Sequence, residues 1–211
     1  MIGITLEMLT ELRVSVGKRM SAKRYAHTLA VEDMVARLCA LYTPDEELLM
    51  RAAALLHDIT KECTKEEHLA SLQSLGLEAT KEELFAPKTL HARTAAALIP
   101  SLYPEFAHPT VIDAVRWHTT GHAGMTLTEK LLYLADYIDD SRTFPTCVLL
   151  RKTFWDATPE AMSPEERITL LDDVILLSLD MTVNDLIAEH KSVAVDTVEA
   201  RNELLFARAN P

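Results

Sequence analysis

Residues 47–62 read Glu-Leu-Leu-Met-Arg-Ala-Ala-Ala-Leu-Leu-His-Asp-Ile-Thr-Lys-Glu, an apolar helical run that ends on the pair His57-Asp58. His27 stands upstream of the pair, and His91, His118 and Asp136 follow downstream, each inside its own helical pattern. A lone histidine on a helix is more often packed or solvated than bound to anything. An ordered set of ionisable groups in apolar helices is different, because an unpaired charge there is costly. Imidazole and carboxylate are the ligands that suit iron, manganese or zinc. These six residues exceed one closed tetrahedral site and match two metals that share a carboxylate. Asp58 is the natural bridge, since a carboxylate offers two oxygens. Two metals a few ångströms apart clamp an in-line displacement at phosphorus, with a metal-bridging hydroxide as the expected nucleophile.

Working outward, helix starts are legible along the chain. Thr43, Thr64, Thr80, Thr126 and Ser163 are each followed three residues later by glutamate, the pattern of a reciprocal capping box. Pro44 and Pro164 fall at the first helical position, where a missing N–H costs nothing. Gly76 fits a stop after Leu75. The pattern predicts helices at about 5–16, 21–41, 44–60, 65–75, 81–86, 89–99, 109–119, 126–140, 146–156, 164–190 and 192–209. No stretch shows convincing period-two alternation, so the expected class is all-α, a helical bundle. Residues 1–211 read as a single domain. The Pro-containing stretch 157–164 is its clearest internal boundary, and 164–211 reads as packing or homodimerisation helices.

Composition narrows the function. The 21 basic and 32 acidic residues give a net charge of −11, a poor match to nucleic acid, which needs a basic surface. A small anionic ligand is compatible, because metals and a few local cations can set the field in a cleft. Cys39, Cys63 and Cys147 form no CxxC pair, and Cys39 and Cys147 read as core residues. No signal-peptide pattern and no run of the ~20 apolar residues a membrane span needs is present, so the expected location is cytoplasmic, with no membrane partner.

Basic residues lie beside the presumed ligands. Arg24 shares a helical face with His27, and the alternative is a surface pair with Glu32 or Asp33. Lys61 follows Asp58 by three and suits a phosphate oxygen as a point charge; the alternative is a helix-end lysine complementing the dipole. Arg24, Lys61 and Arg142 are the candidate substrate-binding residues, and Asp58 and Lys61 the candidate catalytic ones. Glu62, His122, Asp139 and Asp140 are left open. His68 reads as surface, His108 as a turn residue, and His190 as a solvated helix end.

In Arg24-Tyr25-Ala26-His27-Thr28, His57-Asp58-Ile59-Thr60-Lys61-Glu62, Trp117-His118-Thr119-Thr120-Gly121, Met125 and Leu134-Ala135-Asp136-Tyr137-Ile138-Asp139, the chain resembles the HD-domain superfamily of metal-dependent phosphohydrolases, and within it the YqeK family. The resemblance covers about residues 5–200, most of the chain. It implies symmetrical hydrolysis of diadenosine tetraphosphate to two ADP at a di-iron centre. Manganese, zinc, nickel or magnesium are the other candidate ions, and a dinucleoside polyphosphate is the expected partner. It also implies that His27, His57, Asp58 and Asp136 hold one metal, and Asp58, His91 and His118 the other. Two segments depart from the family pattern. His91 is followed by Ala92 where a glycine is expected, and Asp139-Asp140 stands where Glu-Pro is expected. The alternatives are a nucleotidase or phosphodiesterase on another nucleotide, and a nucleotide sensor without turnover.

Overall fold

The computed structural model describes residues 3–209. Among them every regular element is helical: α1 Leu6–Gly17, α2 Ala22–Tyr42, α3 Glu47–Leu56, α4 Lys65–Ser74, α5 Lys81–Phe85, α6 Leu90–Leu102, α7 Pro109–Trp117, α8 Leu127–Ile138, α9 Pro145–Trp155, α10 Pro164–Ala188 and α11 Val195–Ala209. No described helix is long and apolar enough to cross a membrane.

Local chemistry explains most of the boundaries. Thr64, Thr80, Thr126 and Ser163 close reciprocal capping boxes with Glu67, Glu83, Glu129 and Glu166. The box expected at Thr43 does not form. Thr43 instead ends α2, giving its N–H to the Cys39 carbonyl (2.9 Å), and a 3-10 turn over Pro44–Glu46 takes the place of the first turn of α3. Thr43 sits at φ −156°, ψ 68°, away from the extended conformation of the four residues that do close a box. Gly76 adopts φ +70°, and Leu77 N–H reaches the Leu72 carbonyl (2.9 Å), the glycine stop expected after Leu75.

The helix that carries the opening stretch ends at Leu56, four residues short of the expected boundary at 60. Beyond it the chain runs in tight turns, with Lys61 N–H to Asp58 O (3.0 Å) and Cys63 N–H to Thr60 O (3.0 Å). On a continuous helix His57 and Asp58 would point ~100° apart. The turn brings their side chains to one place.

α3 is buried along its inner length, from Met50 through Ala52, Ala53, Ala54, Leu55 and Leu56. It packs between α1, α2, α7 and α8. Each fully buried leucine there contributes ~1.5–3 kcal/mol. One continuous apolar cluster runs from Leu9, Leu12 and Val16 of α1 to Ala200 and Leu204 of α11. α10 packs along α8 and α9, and polar contacts pin its seam with α8: Lys130 to Asp172 (2.6 Å), Tyr133 to Ser178 (3.3 Å) and Tyr137 to Thr182 (3.0 Å).

A second buried carboxylate, remote in sequence from the His57-Asp58 turn, braces the frame. Glu32 of α2 is 4% exposed and accepts from Arg13 of α1 (2.7 and 2.5 Å) and Arg51 of α3 (3.1 Å). Glu32→Ala leaves two arginines facing an apolar gap. The expected loss is about 3 kcal/mol, near the low end for a buried pair because both arginines reach solvent. For a chain of this length that lowers the melting temperature by roughly 6–12 °C, which thermal unfolding followed by circular dichroism measures.

Candidate metal centre

Five helix segments converge on one end of the bundle. His27 comes from the first turns of α2, and His57 and Asp58 from the turn after α3. His91 is the second residue of α6, His118 caps the C-terminus of α7, and Asp136 sits in the last turn of α8. All six residues are buried, none more than 8% exposed.

The two oxygens of Asp58 face two groups of donors. Oδ2 lies 3.3 Å from His57 Nε2 and 3.9 Å from His27 Nε2. Asp136 Oδ1 completes that side, 2.9 Å from His27 Nε2 and 3.8 Å from His57 Nε2. Oδ1 lies 3.4 Å from His91 Nε2 and 3.7 Å from His118 Nε2. Two buried groupings, His27-His57-Asp136 and His57-Asp58-His118, have ligand atoms close enough together to hold an ion.

Local backbone sets the orientation of three of the histidines. Nδ1 of His57, His91 and His118 donates to the carbonyl three residues earlier, that of Ala54 (2.6 Å), Lys88 (2.7 Å) and Val115 (2.7 Å). For His57 and His118 these are carbonyls left free at the end of a helix. With Nδ1 carrying the proton, Nε2 of the neutral ring presents a lone pair, the form that binds metal. His91 Nε2 and His118 Nε2 then stand 3.1 Å apart, lone pair toward lone pair, a contact that needs a cation or donor between them. His27 is held differently, its Nδ1 lying 3.2 Å from Ser141 Oγ and 3.4 Å from Asp139 Oδ2.

The electrostatics fit a divalent ion. Burial opposes ionisation of Asp58, but His57, His118 and Lys61 hold it well below the usual carboxylate range. Burial opposes it at Asp136 too, where Arg142 and His27 prevail and depress it strongly. Burial pushes His118 down and His91 well down, with the Lys61 charge adding to the effect at His91, and both shifts favour the neutral ring. Burial also works against the charge on His27, yet the adjoining carboxylates of Asp136 and Asp139 lift it to about 9. His27 Nε2, His57 Nε2 and Asp58 Oδ1 have no hydrogen-bond partner although buried. Buried polar atoms without partners call for an explanation. Ionised carboxylates and imidazoles with no thiolate supply one, since that donor set suits a divalent transition metal.

The basic residues divide. Arg24 pairs with Asp58 Oδ2 (2.6 Å), not with Glu32 or Asp33. Lys61 Nζ reaches His91 Nε2 (2.9 Å) and lies 3.9 Å from Asp58 Oδ1, with its side chain about a third exposed. Arg142, expected to hold substrate, pairs with Asp136 as Arg24 does with Asp58. Its Nη2 donates to Oδ1 (2.5 Å) and its Nε to the Asp136 carbonyl (2.9 Å).

Other expectations resolve individually. Glu62 accepts from Ser21 N–H (2.7 Å) and Oγ–H (2.6 Å), tying the metal-site turn to the N-cap of α2. Asp139 is fully buried behind His27, whereas Asp140 is exposed and pairs with Arg37 and Arg151. His122 stacks on Trp117 and meets Glu129 (3.2 Å), outside the cluster. His68 is buried rather than on the surface. It shares a face with Leu72 against α6, and its Nδ1 meets Thr94 Oγ1 (3.1 Å), while Glu66 and Glu67 take the solvent side. Three hydroxyl residues escaped the sequence reading. Thr60 donates to the His91 carbonyl (2.8 Å), Thr119 Oγ1 lies 3.0 Å from His91 Nε2 and 3.1 Å from His118 Nε2, and Ser141 backs His27. For Thr60 and Thr119 the available signal was closeness in sequence to presumed ligands; Ser141 had none. Gly121, at φ +61°, turns the chain out of α7, and a Cβ there would stand 3.2 Å from Met125.

Residues 24–140, a span that includes all six of these residues, match the HD domain family model. The chain is 28% identical over 194 residues to the symmetrical bis(5'-nucleosyl)-tetraphosphatase of Halalkalibacterium halodurans, covering 90% of this chain and 94% of that protein. It is 33% identical over 144 residues to the Bacillus subtilis protein of the same name, covering 67% and 75% respectively. The fold superposes with a TM-score of 0.82 on the crystal structure of a predicted HD superfamily hydrolase involved in NAD metabolism from Clostridium acetobutylicum. That match is 28% identical and covers 97% of this chain and 100% of that one.

If Asp58 faces both donor groups as the geometry arranges it, Asp58→Ala strips both. The variant should remain folded by circular dichroism and elute with less than about a tenth of the divalent metal of the unmutated protein, read by elemental analysis.

Proposed function

The chain belongs to the HD domain family, and from that premise we propose that it is a metal-dependent symmetrical bis(5'-nucleosyl)-tetraphosphatase that cleaves diadenosine tetraphosphate to two ADP. The observation that carries the reading is Asp58, buried with one oxygen toward His27 and His57 and the other toward His91 and His118. His27, His57, Asp58 and Asp136 are the proposed ligands of one ion, and Asp58, His91 and His118 of a second, with iron the first candidate. Such ions supply Lewis acidity toward phosphate oxygens and toward water.

The protein groups do the rest. The Nδ1–carbonyl bonds fix three imidazoles before substrate arrives. Arg142 keeps Asp136 ionised and aimed, and we read it as a positioning residue rather than a substrate contact. Arg24 and Lys61 are part-exposed cations facing the cluster and are the groups suited to phosphate oxygens. In symmetrical cleavage, water oxygen bonds to an inner phosphorus, the central P–O bond breaks, and the leaving ADP takes the bridging oxygen. A nucleotide sensor has no comparable support, since the relatives reported above are named as tetraphosphatases.

Two outcomes test this reading. Incubation of the metal-loaded protein with diadenosine tetraphosphate should yield ADP alone by chromatography; AMP with ATP in equal amounts means cleavage of an outer anhydride. Lys61→Ala should keep its fold and metal yet lose catalytic efficiency by roughly a hundredfold, the cost of one charge-assisted contact to the transition state. Native kinetics with stability lowered by under ~1 kcal/mol would instead make Lys61 a helix-end charge.

A further inference from the structure

A cleft of about 590 Å³ opens beside the metal centre. Thr119 and Tyr137 line its inner end. The first has its hydroxyl on His91 and His118, and the second follows Asp136 in sequence. The outer wall comes from the other end of the chain, from α10 and the loop to α11, and includes Leu186 and Ala194. This wall is fastened to α5, to the turn after α7 and to α8. Ser192 Oγ donates to the Phe85 carbonyl (2.6 Å), Thr197 Oγ1 donates to the Thr120 carbonyl (3.0 Å), and the Tyr137 and Thr182 hydroxyls pair (3.0 Å).

The volume is that of a small-molecule site, and so is the lining, a largely apolar surface with a few placed hydroxyls. An aromatic base needs apolar faces, which Leu186 and the Tyr137 ring offer. A ribose needs hydroxyl partners, which Thr119 and Thr182 offer. Lys88 and Lys191 also line the cleft, the latter paired with Glu189. The neighbouring cleft of about 420 Å³ is less suited, because Glu82, Glu83, Asp196 and Glu199 line it and oppose a polyphosphate.

We propose that the 590 Å³ cleft seats one nucleoside of the dinucleoside tetraphosphate, with Leu186 and Tyr137 against the base and the α10–α11 loop as its outer wall. This inference rests on the proposed activity and adds where substrate selectivity is decided. The selecting wall lies outside the stretch that matches the HD domain family, residues 24–140.

The test uses Leu186→Trp and Ala194→Leu, which fill the cleft from different elements; if the first fails to fold, the second carries the measurement. Three quantities are read on metal-loaded protein: kcat/KM for diadenosine tetraphosphate, ADP affinity by calorimetry, and competitive inhibition by inorganic tetraphosphate, which has no nucleoside. Both variants should lose about tenfold or more in the first two, while tetraphosphate inhibits them as it does the unmutated protein. Unchanged ADP affinity and kinetics overturn the cleft assignment and leave the activity standing. A parallel loss of tetraphosphate inhibition also overturns it, since the damage then lies at the centre. If the unmutated protein neither cleaves diadenosine tetraphosphate nor binds ADP, the proposed activity itself fails and the nucleoside site with it.

Discussion

Lone pairs forced together in a dry place are the constraint on which this bundle depends. Four imidazole nitrogens and the oxygens of Asp58 and Asp136 share a few ångströms at one end of the helices. Packed apolar side chains cannot satisfy them, and little water reaches them. Every neighbouring choice answers that problem. α3 stops early so that consecutive residues can face inward together, and Arg24, Lys61 and Arg142 surround the carboxylates. Glu32 solves a related problem by a different route. It is a buried carboxylate with two arginines in place, and it joins three helices instead of holding a reaction centre.

Much of the metal cluster was legible because its residues break the local rule. Histidine and aspartate inside apolar helices stand out against a background that disfavours them, and their order along the chain follows the order of helix ends. What could not be read depended on how helices dock. His68 lies among charged neighbours, and only the packing of α4 on α6 decides which face is covered. Asp139 and Ser141 reach His27 because the chain doubles back after Ile138, a turn with no periodic signal. Arg142 was legible as a cation near the site, but whether it meets substrate or ligand is a matter of a few ångströms. The capping boxes were read correctly at four of five places, and at the fifth the backbone of Thr43 leaves the extended conformation a box requires.

The C-terminal helices show how far a local reading extends. α10 packs on α8 and α9, and α11 packs on α10. Their loop also reaches the rim of the cleft beside the metal centre, held there by Ser192 and Thr197. Amphipathic periodicity describes the face a helix buries and is silent on what its connecting loop overhangs.

The Nδ1–carbonyl bonds divide the histidines into two kinds. His57, His91 and His118 each take their aim from a carbonyl three residues earlier, so their geometry belongs to the local turn and survives whatever happens elsewhere. His27 takes its aim from Asp139 and Ser141, more than a hundred residues away in sequence. Of the four rings, it is the one with a long-distance tether. A shift of the segment joining α8 to α9 would therefore be felt at one imidazole while the other three stayed put, making His27 the tuning peg of an otherwise fixed instrument.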